Sequence, residues 1–238
     1  MIKLQGRIVI LLFIVCFTEV SAKENDFQFR TGFDIRKEFH KGFDLSLQYQ
    51  LRYKNNVHEF QGSYFTVNPE YKINKHYSVE AEIRFATSVV WDKFRYGIGL
   101  SYKKKLDKFQ LSLRGRYEFE KYRQSIPEIG QFPSKNNFRL RLQSEYKPCK
   151  RIKLFASIEP QYRVSESIGY FQRIRNIAGV EWEFIKHHTF TISYAYQPQY
   201  KTVNSFTAYI LDVHYSWDIP KVKNKKKEQK ENNVETGG

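Results

Sequence analysis

Cysteine is almost missing from this chain of 238 residues, long apolar runs are few, and the 25 acidic side chains are well outnumbered by the 40 basic ones. Of its two cysteines, Cys16 lies in the N-terminal apolar segment, which leaves Cys149 alone. One thiol makes no internal disulfide and, with no second cysteine nearby, is a poor start for a metal site, so Cys149 is expected to be a turn residue. After residue 22 no stretch approaches the about 20 apolar residues a membrane helix needs. Mean hydropathy is -0.63, and together these exclude a helical membrane protein. Phosphate loops, zinc-binding pairs and dinucleotide fingerprints are absent too, so no metal and no cofactor is expected.

What is present begins with a secretory signal. Lys3 and Arg7 precede an apolar run from Ile8 to Phe17, and Val20, Ser21 and Ala22 offer small residues at cleavage spacing. Residues 1–22 are expected to be removed near Ala22. Val15 stands where a lipoprotein signal places a small residue before its cysteine, which argues against lipidation of Cys16.

From Gly42 onward the dominant signal is period two. Phe43, Leu45, Leu47, Tyr49, Leu51 and Tyr53 alternate with Asp44, Ser46, Gln48, Gln50 and Arg52. Successive side chains on a strand point to opposite faces, so this run is a strand with one apolar and one polar side. The same pattern predicts strands over 27–35, 43–53, 61–71, 77–87, 93–103, 109–120, 138–146, 152–163, 172–184, 189–197 and 208–217. Most have the roughly 9 to 11 residues that a tilted strand needs to cross a bilayer. Short turns are expected near Lys41, Asn74, Lys105, Lys150 and Lys186, and longer loops near Asn55, Ser88, Ser125 to Asn136, Ser165 and Asn204. That asymmetry is the one found in outer-membrane barrels.

Length and pattern give one domain at 23–220, an all-β, antiparallel up-and-down transmembrane barrel, with a basic disordered tail at 221–238. Bacterial single-chain barrels have even strand numbers, so ten or twelve strands are expected, twelve preferred, against a direct count of eleven. A soluble lipocalin-type barrel also alternates, but it hides its apolar face inside. Here the polar face carries charges of both signs, suited to satisfy one another across a closed lumen. Arg52, Arg84, Arg95, Arg114, Arg116, Arg139, Arg141, Arg173 and Arg175, together with Arg30, face Glu80, Glu82, Glu118, Glu145, Glu159, Glu181 and Glu183, together with Asp44. The odd residues of 43–53 are expected to face lipid.

Lys and Arg number 40 against 25 Asp and Glu, a net charge of +15. Much of the excess sits in the short turns and in the tail, from Lys221 to Lys230. A secreted chain with no nucleic-acid motif meets no nucleic acid, so this charge points elsewhere. Outer-membrane lipid is the expected partner, and a second envelope protein is a candidate for the basic rim.

Phe138-Arg139-Leu140-Arg141-Leu142 leads to Glu145-Tyr146, then a tight turn. The segment Leu154 to Pro160 follows, and then Arg173-Ile174-Arg175 with Gly179. With the closing strand Val213 to Trp217, these residues resemble the uncharacterised outer-membrane barrels of the Bacteroidota type known as domain of unknown function 2490. The resemblance implies a barrel fold and an outer-membrane location, and brings no activity. The Lys-rich tail after Asp218 departs from barrels that end on the aromatic of their last strand.

One constellation bears on catalysis. His214 and Ser216 share a strand face with Asp212, an arrangement that resembles lipid A deacylases. Residues two apart on a strand are roughly 7 Å apart, too far for a direct hydrogen bond without side-chain reach. They are therefore expected to be structural, and His187-His188 sits in a turn without carboxylates. A non-enzymatic structural or accessory barrel is expected first, with a narrow anion-preferring channel and then a lipid-modifying hydrolase as alternatives. A lumen filled by Arg, Glu and Tyr is expected to leave little room for water.

Overall fold

The computed structural model describes residues 24–39, 42–88, 91–124, 134–164, 169–200 and 206–220. The expected signal segment, its cleavage point and the basic tail lie outside the described residues, as do most of the longer loops. Eleven strands form one closed barrel. They are β1 (Glu24–Glu38), β2 (Phe43–Lys54), β3 (Glu59–Lys72), β4 (Tyr77–Thr87), β5 (Trp91–Leu106) and β6 (Phe109–Gln124). The wall continues with β7 (Lys135–Cys149), β8 (Ile152–Val164), β9 (Tyr170–Ile185), β10 (His188–Pro198) and β11 (Phe206–Ile219).

The distribution of side chains is inverted relative to a soluble barrel. Phe65, Ile83, Tyr96, Ile98, Leu100, Leu113 and Ile192 point outward and are exposed, Ile98 at 61%. Inside, Glu118 and Asn137 are fully buried and Glu82, Arg95 and Glu159 nearly so. Apolar side chains outside and charges inside are stable only if lipid covers the wall, which makes this a transmembrane barrel of outer-membrane type. The same logic covers β2: Asp44, Ser46, Gln48, Gln50 and Arg52 line the interior, and Leu47 faces out.

Two expectations about the wall need correction. Among the described residues the strands number eleven, within the expected ten to twelve and equal to the direct count, but not the even number preferred. In an up-and-down barrel an odd number makes the first and last strands run the same way, so the seam between β1 and β11 is parallel, from Glu24↔Phe206 to Lys37↔Ile219. β1 is a complete wall strand, paired antiparallel with β2 on its other side. Parallel pairing still satisfies the edge groups, so closure does not require an even number. The second correction concerns loop length. The connections at Asn55 and Ser88 are as short as the four-residue turn at 73–76, so the length asymmetry rests on 125–134, 165–169 and 199–205. Two-residue turns at 107–108 and 186–187 hold Asp107 and His187 at positive φ, as tight hairpins require.

Bulges set the phase of the lumen. In β9, Gln161↔Arg173 is followed by Tyr162↔Phe171, so Gln172 is the extra residue and both Gln172 and Arg173 turn inward. In β3 a bulge opposite Arg52 and Tyr53 leaves Gln61 and Tyr64 both inside.

Candidate functional site

The inward side chains enclose one cavity of about 1050 Å³. Its lining reaches Arg36, Asp44, Lys72 and Lys103 at the short-turn end and Lys93, Tyr122, Lys135 and Arg163 at the loop end. At about 30 Å³ per water it has room for some tens of waters, which overturns the expectation of a lumen with little room. Sixteen arginines and lysines line it against eight carboxylates, so the surface a solute meets is strongly cationic.

Along β4 to β8 the guanidiniums and carboxylates neutralise one another. Arg116 donates to Glu80 at 2.6 and 2.9 Å and also contacts Glu82. Arg95 donates to Glu120 at 2.5 and 2.8 Å and lies 3.7 Å from Glu118. Arg139 lies between Glu118 at 3.2 Å and Glu159 at 3.5 Å, and Arg141 donates to Glu159 at 2.6 Å. Arg114 is 3.4 Å from Glu80 and 3.5 Å from Glu159, while Arg84 is 3.5 Å from Glu82 and donates to Thr66. This network is needed because the register places Arg84 opposite Arg95, Arg114 opposite Arg141 and Arg116 opposite Arg139. Like charges directly opposed are destabilising, and the interleaved glutamates remove that penalty.

The wall from β8 around the seam to β2 is built differently. There Arg52 donates from Nε to Gln50 at 2.7 Å, Arg173 to Gln161 at 2.7 Å and Arg175 to Gln197 at 2.8 Å. Arg163 uses Asn137 and Arg30 uses Gln28. None of these five has a carboxylate within ion-pair reach among the described residues. The Arg52 guanidinium lies 3.8 Å above the Tyr64 ring, which fixes its plane.

The remaining charges of the expected set lie elsewhere. Glu145 lines the cavity near the short turns, accepting from Gln110 and Gln143. Glu181 pairs with Lys153 at 2.6 Å and Glu183 accepts from the His187 backbone N–H, both outside the cavity lining. The sequence reading missed Glu120, Lys93, Lys135 and Arg163. The alternation Arg116, Glu118, Glu120, Tyr122 carries the signal for the first; the expected strand ended there, whereas β6 runs to Gln124.

The seam brings Asp34 to His214 and Ser216. His214 Nε2 is 3.1 Å from Asp34 Oδ2, though poorly aligned for a hydrogen bond, and Nδ1 is 3.9 Å from Asp212. Ser216 donates to the same Asp34 oxygen at 3.4 Å. The serine proton thus points at a carboxylate and not at the imidazole, which is not the order in which a base activates a serine. Gly32 makes room here: a Cβ would sit 2.2 Å from the Tyr49 carbonyl and 3.0 Å from the His214 ring. His188 lies apart, its Nδ1 2.6 Å from the Tyr215 hydroxyl and its ring stacked on Trp217.

A family model described as "Protein of unknown function (DUF2490)" matches residues 27–207 and so stops just inside β11. No curated protein matches the chain. Among solved structures it is similar to the NanC porin in a rhombohedral crystal form, with 14% identity and a TM-score of 0.49 over 71% of this chain and 84% of that one. It is also similar to the KdgM porin in complex with disordered oligogalacturonate, with 15% identity and a TM-score of 0.46 over 72% of this chain and 91% of that one.

Proposed function

The chain belongs to the DUF2490 family of proteins of unknown function, and from that premise we propose that it is an outer-membrane channel for small anionic solutes. One observation carries the reading: a single cavity of about 1050 Å³ touches side chains at both ends of the barrel and is lined by sixteen cations against eight carboxylates. Rings of Arg and Lys in a pore favour anions over cations, because an entering cation meets uncompensated positive charge. The cavity favours a channel over the structural or accessory barrel that the sequence puts first.

In this reading the chain reaches the outer membrane after cleavage near Ala22, and lipid surrounds its aromatic and aliphatic outer face. A further envelope protein at the basic short-turn rim is a separate proposal that the channel does not need. The His214, Asp34 and Ser216 cluster clasps the parallel seam and has no hydrolytic role.

The test is the reversal potential of the purified full chain in planar bilayers under a KCl gradient. Current carried mainly by chloride supports the reading. Cation preference, or no conductance from protein shown to be folded by heat-modifiable migration, overturns it.

A further inference from the structure

The contrast between the two walls assigns a more specific role to four arginines. Arg52, Arg173 and Arg175 each spend Nε on a neutral glutamine oxygen, which anchors the guanidinium while leaving its charge uncancelled. Among the described residues no group accepts from their terminal Nη nitrogens, so each keeps a two-pronged donor edge toward the cavity it lines. Arg30 stands opposite Arg52 across β1 and β2, is 7% exposed, and its Nε has no hydrogen-bond partner among the described residues. A buried guanidinium nitrogen without a partner costs free energy until an acceptor arrives. All four side chains lie in the loop half of the lumen, and Arg30 is within range of the charges of Arg52, Arg173 and Arg175.

Asp212 and Glu159 act on these four cations as counter-charges, but neither is within ion-pair reach of any of them. Crowding four positive charges in this way is unfavourable in the empty lumen, and a ligand that brings further negative charge into contact relieves it. A planar fork of N–H donors matches the paired oxygens of a carboxylate or phosphate better than it matches a halide. We propose that Arg30, Arg52, Arg173 and Arg175 form a binding site for the carboxylate or phosphate group of a solute, a proposal that relies on the channel reading for the solute's way in. The site makes the lumen more than a cationic filter: it gives oxyanions a residence that chloride lacks.

The experiment is isothermal titration calorimetry on the full chain in detergent, with phosphate and with citrate as ligands and chloride as the reference at matched ionic strength. Saturable binding of either oxyanion is expected, weakened roughly tenfold or more in Arg173→Gln/Arg175→Gln, since charge-assisted hydrogen bonds are lost. Lys153→Gln, which removes a cation paired with Glu181 outside the cavity lining, is expected to bind as the unaltered chain does. Citrate binding alone assigns the site to carboxylates, and phosphate binding alone assigns it to phosphate. If the double variant fails to show heat-modifiable migration, the single variant Arg52→Gln takes its place. No saturable binding, or equal weakening in Lys153→Gln, overturns the site. Anion-selective conductance without saturable binding removes the site and leaves the channel, whereas binding without conductance removes the channel and leaves the site.

Discussion

The two walls of the lumen use the same arginine for opposite ends. Along β4 to β8 arginines are interleaved with glutamates, and the result is a stiff, nearly neutral lattice that holds the wall together. From β8 around the seam to β2 the arginines lean on glutamine and asparagine, and their charge is left for whatever enters. Arginines donate mainly to carboxylates on one wall and to neutral amide oxygens on the other, so the charge of the acceptor is what differs. One wall is therefore built for stability, and the other for recognition.

The largest effect is expected where the compensated wall loses a carboxylate. Glu118 is fully buried and lies 3.7, 3.9 and 3.2 Å from Arg95, Arg116 and Arg139. Glu118→Gln removes the one carboxylate these three buried guanidiniums share and leaves the lattice a negative charge short, and breaking a buried pair costs about 3 to 5 kcal/mol. Urea unfolding in detergent measures it, with Gln161→Ala on the other wall as the comparison, expected near 1 kcal/mol. Equal losses from both would erase the distinction between the walls.

Next comes the lipid face. Leu47→Arg is expected to cost about 2 to 4 kcal/mol near the bilayer midplane and to block assembly, while Gln48→Ser, on the luminal face of the same strand, is tolerated. Heat-modifiable migration of both variants scores this, and equal tolerance would mean that the faces are assigned backwards.

Much of this was legible in the sequence, and the losses have physical causes. Alternation over 43–53 identifies a strand and both its faces, because the period of two is local. The same period places Arg114, Arg116, Arg139 and Arg141 inside. It does not say which acceptor each arginine meets, because that depends on cross-strand register. Gln172 shows a second difficulty: alternation from Arg175 and Arg173 would turn it outward, and only the bulge opposite Gln161 and Tyr162 brings it inside. The parallel seam was hidden for a related reason. Asp34 and Ser216 are 182 residues apart, and nothing local to either records that β1 and β11 run side by side.

The seam gives a smaller test. Gly32→Ala forces a methyl against the Tyr49 carbonyl and the His214 ring, and overpacking of this kind costs about 1 to 3 kcal/mol. A matched drop in the unfolding midpoint is expected, and an unchanged midpoint would show that the β1 to β11 closure is looser than described. Smallest of all is Ser216→Ala, which removes one hydrogen bond to Asp34 worth about 1 kcal/mol. Purified protein incubated with lipid A and phospholipid is expected to release no fatty acid with or without the serine. Release that disappears in the variant would turn the seam cluster into an active site.

The most direct test of the account compares reversal potentials in a KCl gradient for two double variants of the full chain. Glu80→Gln/Arg114→Gln deletes an ion pair from the compensated wall, and Arg173→Gln/Arg175→Gln deletes two charges from the wall whose arginines have no carboxylate in ion-pair reach. The account predicts that the first variant keeps the anion preference of the unaltered channel, and that the second shifts it toward zero. An unchanged preference in the second variant, or a loss in the first as large as in the second, would contradict it.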